Sequence, residues 1–258
     1  MPREPIELND GTIIPVLYED RTVLALDKPA GWLLAPPTWD RTPYNLQLAL
    51  MSGIEGREYW AKVRNLKFLR FVHRLDGETS GVVLFAKSAG AVGPLTDLFE
   101  ERTVDKTYLA VTGSPSLESE WTSRESIEEK PGVRGVMRLS RQGKPAETHF
   151  KVLGTVGNRS LLLVKPLTGR THQIRVHLAG RDLAILGDAI YSKVKTSTES
   201  EQFPIALRAI GIRYKDPFTR KLVSISAPTD EFLKEFGFDP KLRDLVFPKT
   251  TGKSASHS

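Results

Sequence analysis

The sequence predicts an α+β domain built on a central antiparallel or mixed sheet with flanking helices and loops, and two observations support this prediction. Short runs rich in Val, Ile, Leu, Phe and Thr dominate the chain, and Gly, Pro, Asn and Asp separate many of them. These runs do not alternate regularly with long helical segments, as the strands of a doubly wound parallel sheet would. The predicted strands are residues 12–17, 22–26, 67–72, 82–86, 108–112, 148–153, 160–164 and 222–226.

Four segments are predicted to form helices beside the sheet, from capping residues, acidic first-turn residues or helical spacing of apolar residues. Their predicted first residues or caps are Thr42, Ser88, Thr171 and Thr229. Pro43 suits the first position of the first helix, and Gly53 is predicted to end it. The third helix is predicted over residues 171–179, with Gly180 just past its end.

The remaining segments suggest how the domain is organised. Residues 1–247 are predicted to form a single domain, and the polar segment 248–258 is predicted to be a flexible tail. Residues 114–145 are charged and rich in Gly and Pro, so we expect them to form an excursion from the sheet.

Composition excludes several classes of protein. The 258 residues contain no cysteine, which rules out a disulfide framework, thiolate metal sites and a cysteine nucleophile. No apolar run approaches the ~18 residues of a membrane span, and no apolar signal segment opens the chain, so we expect a cytoplasmic protein. The 37 Lys and Arg exceed the 31 Asp and Glu by six charges, which is compatible with a nucleic-acid partner without establishing one.

A polar loop between two apolar runs is the first candidate site. Asp76 lies in this loop and is followed by Gly77, so its carboxylate can accept several hydrogen bonds and stay ionised. The alternative is an Asp that merely closes a turn, but a simple hairpin does not need the neighbouring His73 and Arg74. A kinase catalytic loop is excluded because Leu75 separates Arg74 from Asp76, and neither a Gly-rich phosphate loop nor an Asp-Phe-Gly segment is present.

A second cluster of polar residues spans residues 169–178, Gly-Arg-Thr-His-Gln-Ile-Arg-Val-His-Leu. On a helix, Ile174 and Leu178 would face inward, four residues apart. A zinc site is a poor explanation, because His172 and His177 are five residues apart rather than the four that place two ligands on one helical face.

The loop sequence His-Arg-Leu-Asp-Gly-Glu-Thr-Ser-Gly, residues 73–81, resembles the signature of the RluA-type family of RNA pseudouridine synthases. Residues 169–175 resemble the Gly-Arg-x-His-Gln-Ile-Arg motif of the same family. The resemblance implies a pseudouridine-synthase-like catalytic domain in which Asp76 is catalytic and Arg74 helps to fill the space left by a flipped nucleotide. It also implies that Tyr108 is the active-site tyrosine and Arg175 the basic partner of Asp76. No metal and no organic cofactor is implied.

The resemblance covers roughly residues 12–228, and several further residues receive weaker assignments. His73 and Arg74 are candidates for contact with RNA phosphates, and Arg170 and His172 are weaker ones. The Lys-Pro-Ala-Gly element at residues 28–31 and the segment 185–191 match family segments and are expected to be structural. Arg208 stands where the family commonly has a histidine. About a dozen residues precede the first predicted strand, so we expect no N-terminal S4-type RNA-binding domain.

The predicted function is therefore isomerisation of uridine in ribosomal or transfer RNA by a monomeric enzyme, and several questions stay open. Which RNA and which uridine are modified is undetermined, as is the choice between an acylal and a glycal route. A protein that binds or remodels RNA with the same fold is the alternative. A nucleoside glycosidase is a third possibility, disfavoured because the sequence shows no clear second carboxylate.

Overall fold

A computed structural model describes residues 4–35, 44–192 and 204–246, and within them it confirms an α+β fold. Ten strands form one mixed sheet in the order β3-β4-β6-β13-β7-β12-β11-β8, with β14 added beside β13 and β5 beside β6. The strands are β1 Ile6–Glu7, β2 Ile13–Ile14, β3 Val16–Glu19, β4 Val23–Lys28, β5 Arg70–Phe71, β6 Ser80–Ala86, β7 Asp105–Thr112, β8 Glu120–Ser123, β9 Ile127–Glu129, β10 Met137–Leu139, β11 Thr148–Val156, β12 Arg159–Pro166, β13 Leu207–Lys215 and β14 Leu222–Ser226.

Short helices pack on this sheet, and their apolar faces complete its core. The helices are α1 Leu46–Glu55, α2 Tyr59–Val63, α3 Ala89–Glu100, α4 Gln173–Ala179, α5 Asp230–Glu235 and α6 Arg243–Val246, with a 3-10 turn at Pro240–Leu242. Strand β6 is buried over nearly its whole length, as expected of a central strand covered on both faces. No helix among the described residues is long and apolar enough to cross a membrane.

Strands β6 and β13 bring the first candidate site into the centre of the sheet. Among the described strand pairs of this sheet they are the parallel one, with Arg208 opposite Ser80 and Ala209 opposite Gly81. Gly81 has φ +114°, and a Cβ built on it would lie 2.0 Å from the carbonyl oxygen of Ala209. The close approach of β13 therefore requires glycine at the end of the polar loop.

Arg208, the residue that departs from the family pattern, ties these strands together. Its Nη2 donates to Asp27 Oδ2 at 2.6 Å, and its Nη1 donates to Ser80 Oγ at 3.3 Å. Its Nε donates to the carbonyl oxygen of Pro228. The arginine thus links β4, the start of β6 and the chain after β14.

All eight predicted strand regions contain strand, but several predictions need correction. The run 12–17 is divided between β2 and β3, and the run 67–72 contains only the two residues of β5. The nine-residue strand β13 was not predicted, because basic residues and a bulge next to Gly211 interrupt its apolar pattern. The segment 114–145 is only partly an excursion: β8 joins the edge of the main sheet, while β9 and β10 form a separate hairpin.

The helix starts at Ser88 and Thr229 are confirmed, whereas two other helix boundaries were wrong. Helix α1 is capped by Asn45, whose side chain accepts from the N–H of Leu48, and it continues past Gly53. The Trp60 ring packs where a Cβ of Gly53 would lie, at 2.5 Å, so this glycine makes room for a neighbour instead of ending the helix. Thr42, Pro43 and the predicted tail 248–258 lie outside the described residues.

Thr171 does not cap the third predicted helix. Helix α4 begins at Gln173, and the residue before it, His172, has a left-handed backbone with φ +53° and makes no side-chain cap. The amide of Gln173 organises this turn instead, because its Oε1 accepts from the N–H of Arg170 and its Nε2 donates to the carbonyl of Glu147. The turn aims His172 and the first turn of α4 at the loop before β6.

Candidate active site

A cleft of about 860 Å³ opens where the loop before β6 meets β7 and the start of α4. The structure brings together in its walls every site residue that the sequence predicted: His73, Arg74, Asp76, Tyr108, Arg170, His172 and Arg175. Six Lys and Arg side chains line the cleft, compared with the two carboxylates Asp76 and Glu100. The cleft is therefore suited to a polyanion, with one carboxylate beside the buried end of α4.

The loop that carries Asp76 is held by Lys28. The buried Lys28 Nζ donates to the carbonyl oxygens of Pro29, Trp32 and Gly77 at 2.8–2.9 Å. Gly31 N–H also donates to the Gly77 carbonyl. Burial lowers the pKa of Lys28 to about 7, but three acceptors require three protons, so the cage is built for the ammonium form. The structural role expected of residues 28–31 agrees with this geometry.

The Asp76 carboxylate lies between the cleft and a buried guanidinium. Its side chain is 24% exposed, and its Oδ2 is 3.4 Å from Nη1 of Arg175. Its Oδ1 is 4.0 Å from Nε2 of His172. The predicted pairing of Asp76 with Arg175 is therefore present, across 99 residues of sequence.

Arg175 is itself anchored from behind by a residue to which the sequence analysis assigned no site role. Its Nε and Nη2 donate to the two carboxylate oxygens of Asp188 at 2.8 and 2.9 Å. Burial lowers the pKa of Arg175, but the hydrogen bonds that its guanidinium donates to Asp188 and the charge of that carboxylate outweigh burial, so the pKa lies above its ordinary value. Arg175 is thus a permanent cation beside Asp76.

His172 adds a second nitrogen on the other side of Asp76. Its Nδ1 is 2.8 Å from the hydroxyl of Tyr191, which also accepts from the N–H of Met137. Burial lowers the pKa of His172 and the charge of Asp76 opposes that effect, with a net result below the ordinary value. A neutral imidazole therefore faces the cleft, and the sequence signal for its partner, Tyr191, was the segment 185–191.

Tyr108 lies in β7 and contributes an aromatic wall to the cleft. Burial, and then the charge of Asp76, raise its pKa, so the phenol stays protonated at neutral pH. Its ring packs between two core clusters while remaining among the residues that line the cleft. This placement suits contact with a planar base.

His73 is bound to the wall of the cleft. Its Nε2 accepts from the backbone N–H of Leu84 at 3.1 Å, and its ring stacks on Phe99 with centroids 4.4 Å apart. Burial lowers its pKa to about 3, so the imidazole is uncharged at neutral pH. This arrangement favours structural support over the phosphate contact that the sequence suggested for His73.

The basic lining contains residues that sequence reasoning missed. Arg70, Arg102 and Lys106 line the cleft together with the predicted Arg74 and Arg170. Burial and the charge of Arg102 lower the pKa of Lys106 to about 8, and its Nζ donates to the carbonyl of Thr168. Arg74 is exposed, and its guanidinium makes no hydrogen bond or ion pair with the described residues. The dispersed spacing of Arg102 and Lys106 offered no motif that would have identified them.

No cluster of three or more His, Cys, Asp or Glu suited to a metal occurs among residues 4–35, 44–192 and 204–246. The second histidine of the helix motif, His177, is buried and bonds Thr148 Oγ1 and the carbonyl of Glu125 instead. Glu78 contacts Arg175 Nη1 at 3.5 Å, but its side chain is 57% exposed and lines a separate, smaller cleft.

Comparisons with known proteins agree with this geometry. The family model for RNA pseudouridylate synthase matches residues 22–180. The ribosomal large subunit pseudouridine synthase C of Escherichia coli K12 is 32% identical over 231 residues, which is 85% of this chain and 67% of that protein. The protein of the same name from Haemophilus ducreyi is 32% identical over 232 residues, with the same shares of both chains. The solved structure of human RNA pseudouridylate synthase domain containing 1 superimposes with a TM-score of 0.67, 27% identity and 86% of each chain covered.

Proposed function

The chain belongs to the RNA pseudouridylate synthase family of the RluA type and is an RNA-modifying isomerase, and we propose that Asp76 performs its central chemical step. The observation that carries this proposal is the Asp76 carboxylate, 3.4 Å from the buried Arg175 guanidinium in a cleft lined by six cationic side chains. An anion at this point can meet the sugar of a nucleotide whose phosphates contact the basic walls.

The reaction requires one carboxylate and no external group. The N1–C1′ bond of uridine breaks, the uracil turns, and C5 bonds to C1′, while the C5 hydrogen leaves as a proton and N1 gains one. Asp76 attacks C1′ in one route and removes a proton from the sugar in the other, and either role needs its ionised form. The nearby cation Arg175 stabilises that form when the bound base excludes water.

The target uridine must leave its stack to reach Asp76, which costs a few kcal/mol. Stacking of the base on Tyr108 would offset about 1–3 kcal/mol of that cost. Arg74 is exposed at the cleft, so its planar guanidinium is available to fill the vacated position in the RNA stack.

We propose that the substrate is RNA of the large ribosomal subunit, because the relatives at 32% identity carry that substrate in their names. Mapping pseudouridine in total RNA from cells with and without the gene tests this choice. Loss of a modified site in ribosomal RNA would support it, and loss confined to transfer RNA would contradict it. We further propose a monomer acting in the cytoplasm, which size-exclusion chromatography and cell fractionation can test.

Release of tritium from 5-labelled uridine in RNA tests the role of Asp76. We expect Asp76→Asn to reduce release to background while the variant stays folded and still binds RNA, because it loses the anion and keeps the shape. Asp97→Asn, on the exposed face of α3, is the matched control and should retain turnover. Turnover by Asp76→Asn at the wild-type rate would refute the assignment, and release of free uracil would indicate a glycosidase.

The basic lining predicts salt-dependent binding of RNA. If Arg74, Arg102 and Arg170 each contact one phosphate, log K should fall against log salt with a slope of about −2, since each contact on a single strand contributes about −0.7. Filter binding between low and high potassium chloride measures the slope. Affinity that is independent of salt would contradict phosphate contact by these residues.

A further inference from the structure

Asp188 is a buried carboxylate directly behind the guanidinium that faces Asp76. Its side chain is fully buried, the Arg175 side chain is 2% exposed, and the two form a bidentate pair. Asp188 is not among the described residues that line the cleft, and the cleft residue that its carboxylate binds directly is Arg175.

The turn that follows Asp188 fixes the position of its carboxylate. Its Oδ1 accepts from the backbone N–H groups of Ile190 at 3.0 Å and Tyr191 at 3.1 Å, in addition to Nη2 of Arg175. With both carboxylate oxygens occupied and Oδ1 bound by three donors, the carboxylate cannot rotate without breaking hydrogen bonds in a buried environment.

This anchor determines which nitrogen of Arg175 is left for the active site. Asp188 takes Nε and Nη2, and the Tyr191 ring lies 5.3 Å from the guanidinium carbon. The remaining nitrogen, Nη1, faces Asp76 at 3.4 Å and Glu78 at 3.5 Å. An arginine without such an anchor would lose this direction, because its long side chain has several rotatable bonds.

We propose that Asp188 is a positioning residue for the isomerisation, acting through Arg175 to hold Nη1 against the Asp76 carboxylate. The proposal rests on the assignment of Asp76 as the catalytic carboxylate. Asp188 also balances the charge of a buried cation, so its loss lowers stability in any case, and a measurement of stability alone does not test the positioning role.

A double-mutant cycle on the single-turnover rate of tritium release separates the two roles. We expect Asp188→Asn to slow this step by about 100-fold, as small displacements of catalytic groups do, with the dissociation constant for RNA changed less than about threefold. Arg175→Lys keeps the charge but cannot make the bidentate pair, so it should slow the step as well. In the double variant, Asp188→Asn should add less than about threefold to the effect of Arg175→Lys.

Asp216 supplies a matched control. It is also buried, and its Oδ1 accepts from the N–H groups two and three residues later, Phe218 and Thr219, but no arginine pairs with it among the described residues. Asp216→Asn should lower the melting temperature and leave the single-turnover rate unchanged.

Three outcomes would overturn the proposal. One is a wild-type rate in Asp188→Asn, another is multiplication of the two effects in the double variant, and the third is an equal rate loss in Asp216→Asn. If Asp188→Asn does not fold, Asp188→Glu retains the charge while displacing the guanidinium, and a wild-type rate there would refute positioning. Failure of the Asp76 assignment is recognised separately, as turnover by Asp76→Asn.

Discussion

Replacement of Lys28 by methionine removes the cage that holds the Asp76 loop, and it should cost both stability and activity. Methionine has a similar length and can occupy the same buried space, but it has no donor for the three carbonyl oxygens that Nζ now binds. Gly77 O keeps the N–H of Gly31 as a partner, whereas Pro29 O and Trp32 O have no second donor among the described residues.

The expected loss follows from those two carbonyls. A buried acceptor without a partner costs about 1–3 kcal/mol; this applies in full to the buried Trp32 O and only in part to the half-buried Pro29 O, so we expect a destabilisation of about 1–4 kcal/mol. Near the middle of that range, about 2.5 kcal/mol, the melting temperature of a chain of this size should fall by about 5–10 °C. Because Gly77 follows Asp76 directly, loss of this tether should also slow the chemical step by at least about tenfold.

Urea unfolding and single-turnover tritium release measure the two effects on the same preparation. Lys234→Met, at an exposed position of α5, is the control and should change stability by less than about 0.5 kcal/mol. A destabilisation by Lys28→Met below about 1 kcal/mol, or an unchanged chemical rate, would show that the three hydrogen bonds do not hold the loop.

Two further predictions follow from the site. Burial lowers the pKa of His73 in the folded protein to about 3, whereas the ordinary value is near 6.5. Between these two pH values the unfolded chain binds a proton that the folded protein does not bind, so stability falls as the pH falls. Urea unfolding should show a loss of about 2–3 kcal/mol from pH 6.5 to 4.5. His73→Gln, whose amide oxygen can still accept from Leu84, should lack this component, and equal pH dependence of the two proteins would contradict it. Gly81→Ala should destabilise the protein by more than about 3 kcal/mol, because the added Cβ would overlap the backbone of Ala209. Gly90→Ala lies in open space on α3 and should stabilise the protein by about 0.5–1 kcal/mol. Thermal melts that rank the two variants in the opposite order would refute the packing argument.

The strands with continuous apolar runs were predictable because burial on both faces leaves a signal in the local sequence. The run that became β6 and the run that became β12 are of this kind. Strand β13 was missed because its place depends on partners far away in sequence: it pairs with β6 on one side and β7 on the other, and its own pattern is interrupted by a bulge. Pairing of this kind is decided by the rest of the sheet.

Some helix boundaries were likewise predictable from local sequence, and others depend on packing. Helices follow Ser88 and Thr229 as expected, although neither side chain makes a capping hydrogen bond. After Thr229 the local signal is the acidic pair Asp230 and Glu231, which suits the first turn of a helix. Gly53 was misinterpreted as a terminator because the reason for a glycine there is the Trp60 ring, which only packing brings to it.

Asp76 and its candidate partners could be predicted as a site without a structure because they stand in short contiguous motifs that resemble those of a known family, and the structure places them in one cleft. Those motifs do not show which residues that are distant in sequence form hydrogen bonds and ion pairs with each other. Arg175 pairs with Asp76, 99 residues away in sequence, and with Asp188, 13 residues away. His73 accepts a hydrogen bond from a backbone N–H of β6. Such contacts form only when the sheet and α4 close around the cleft, because hydrogen bonds and desolvation act over a few ångströms of space and not along the sequence.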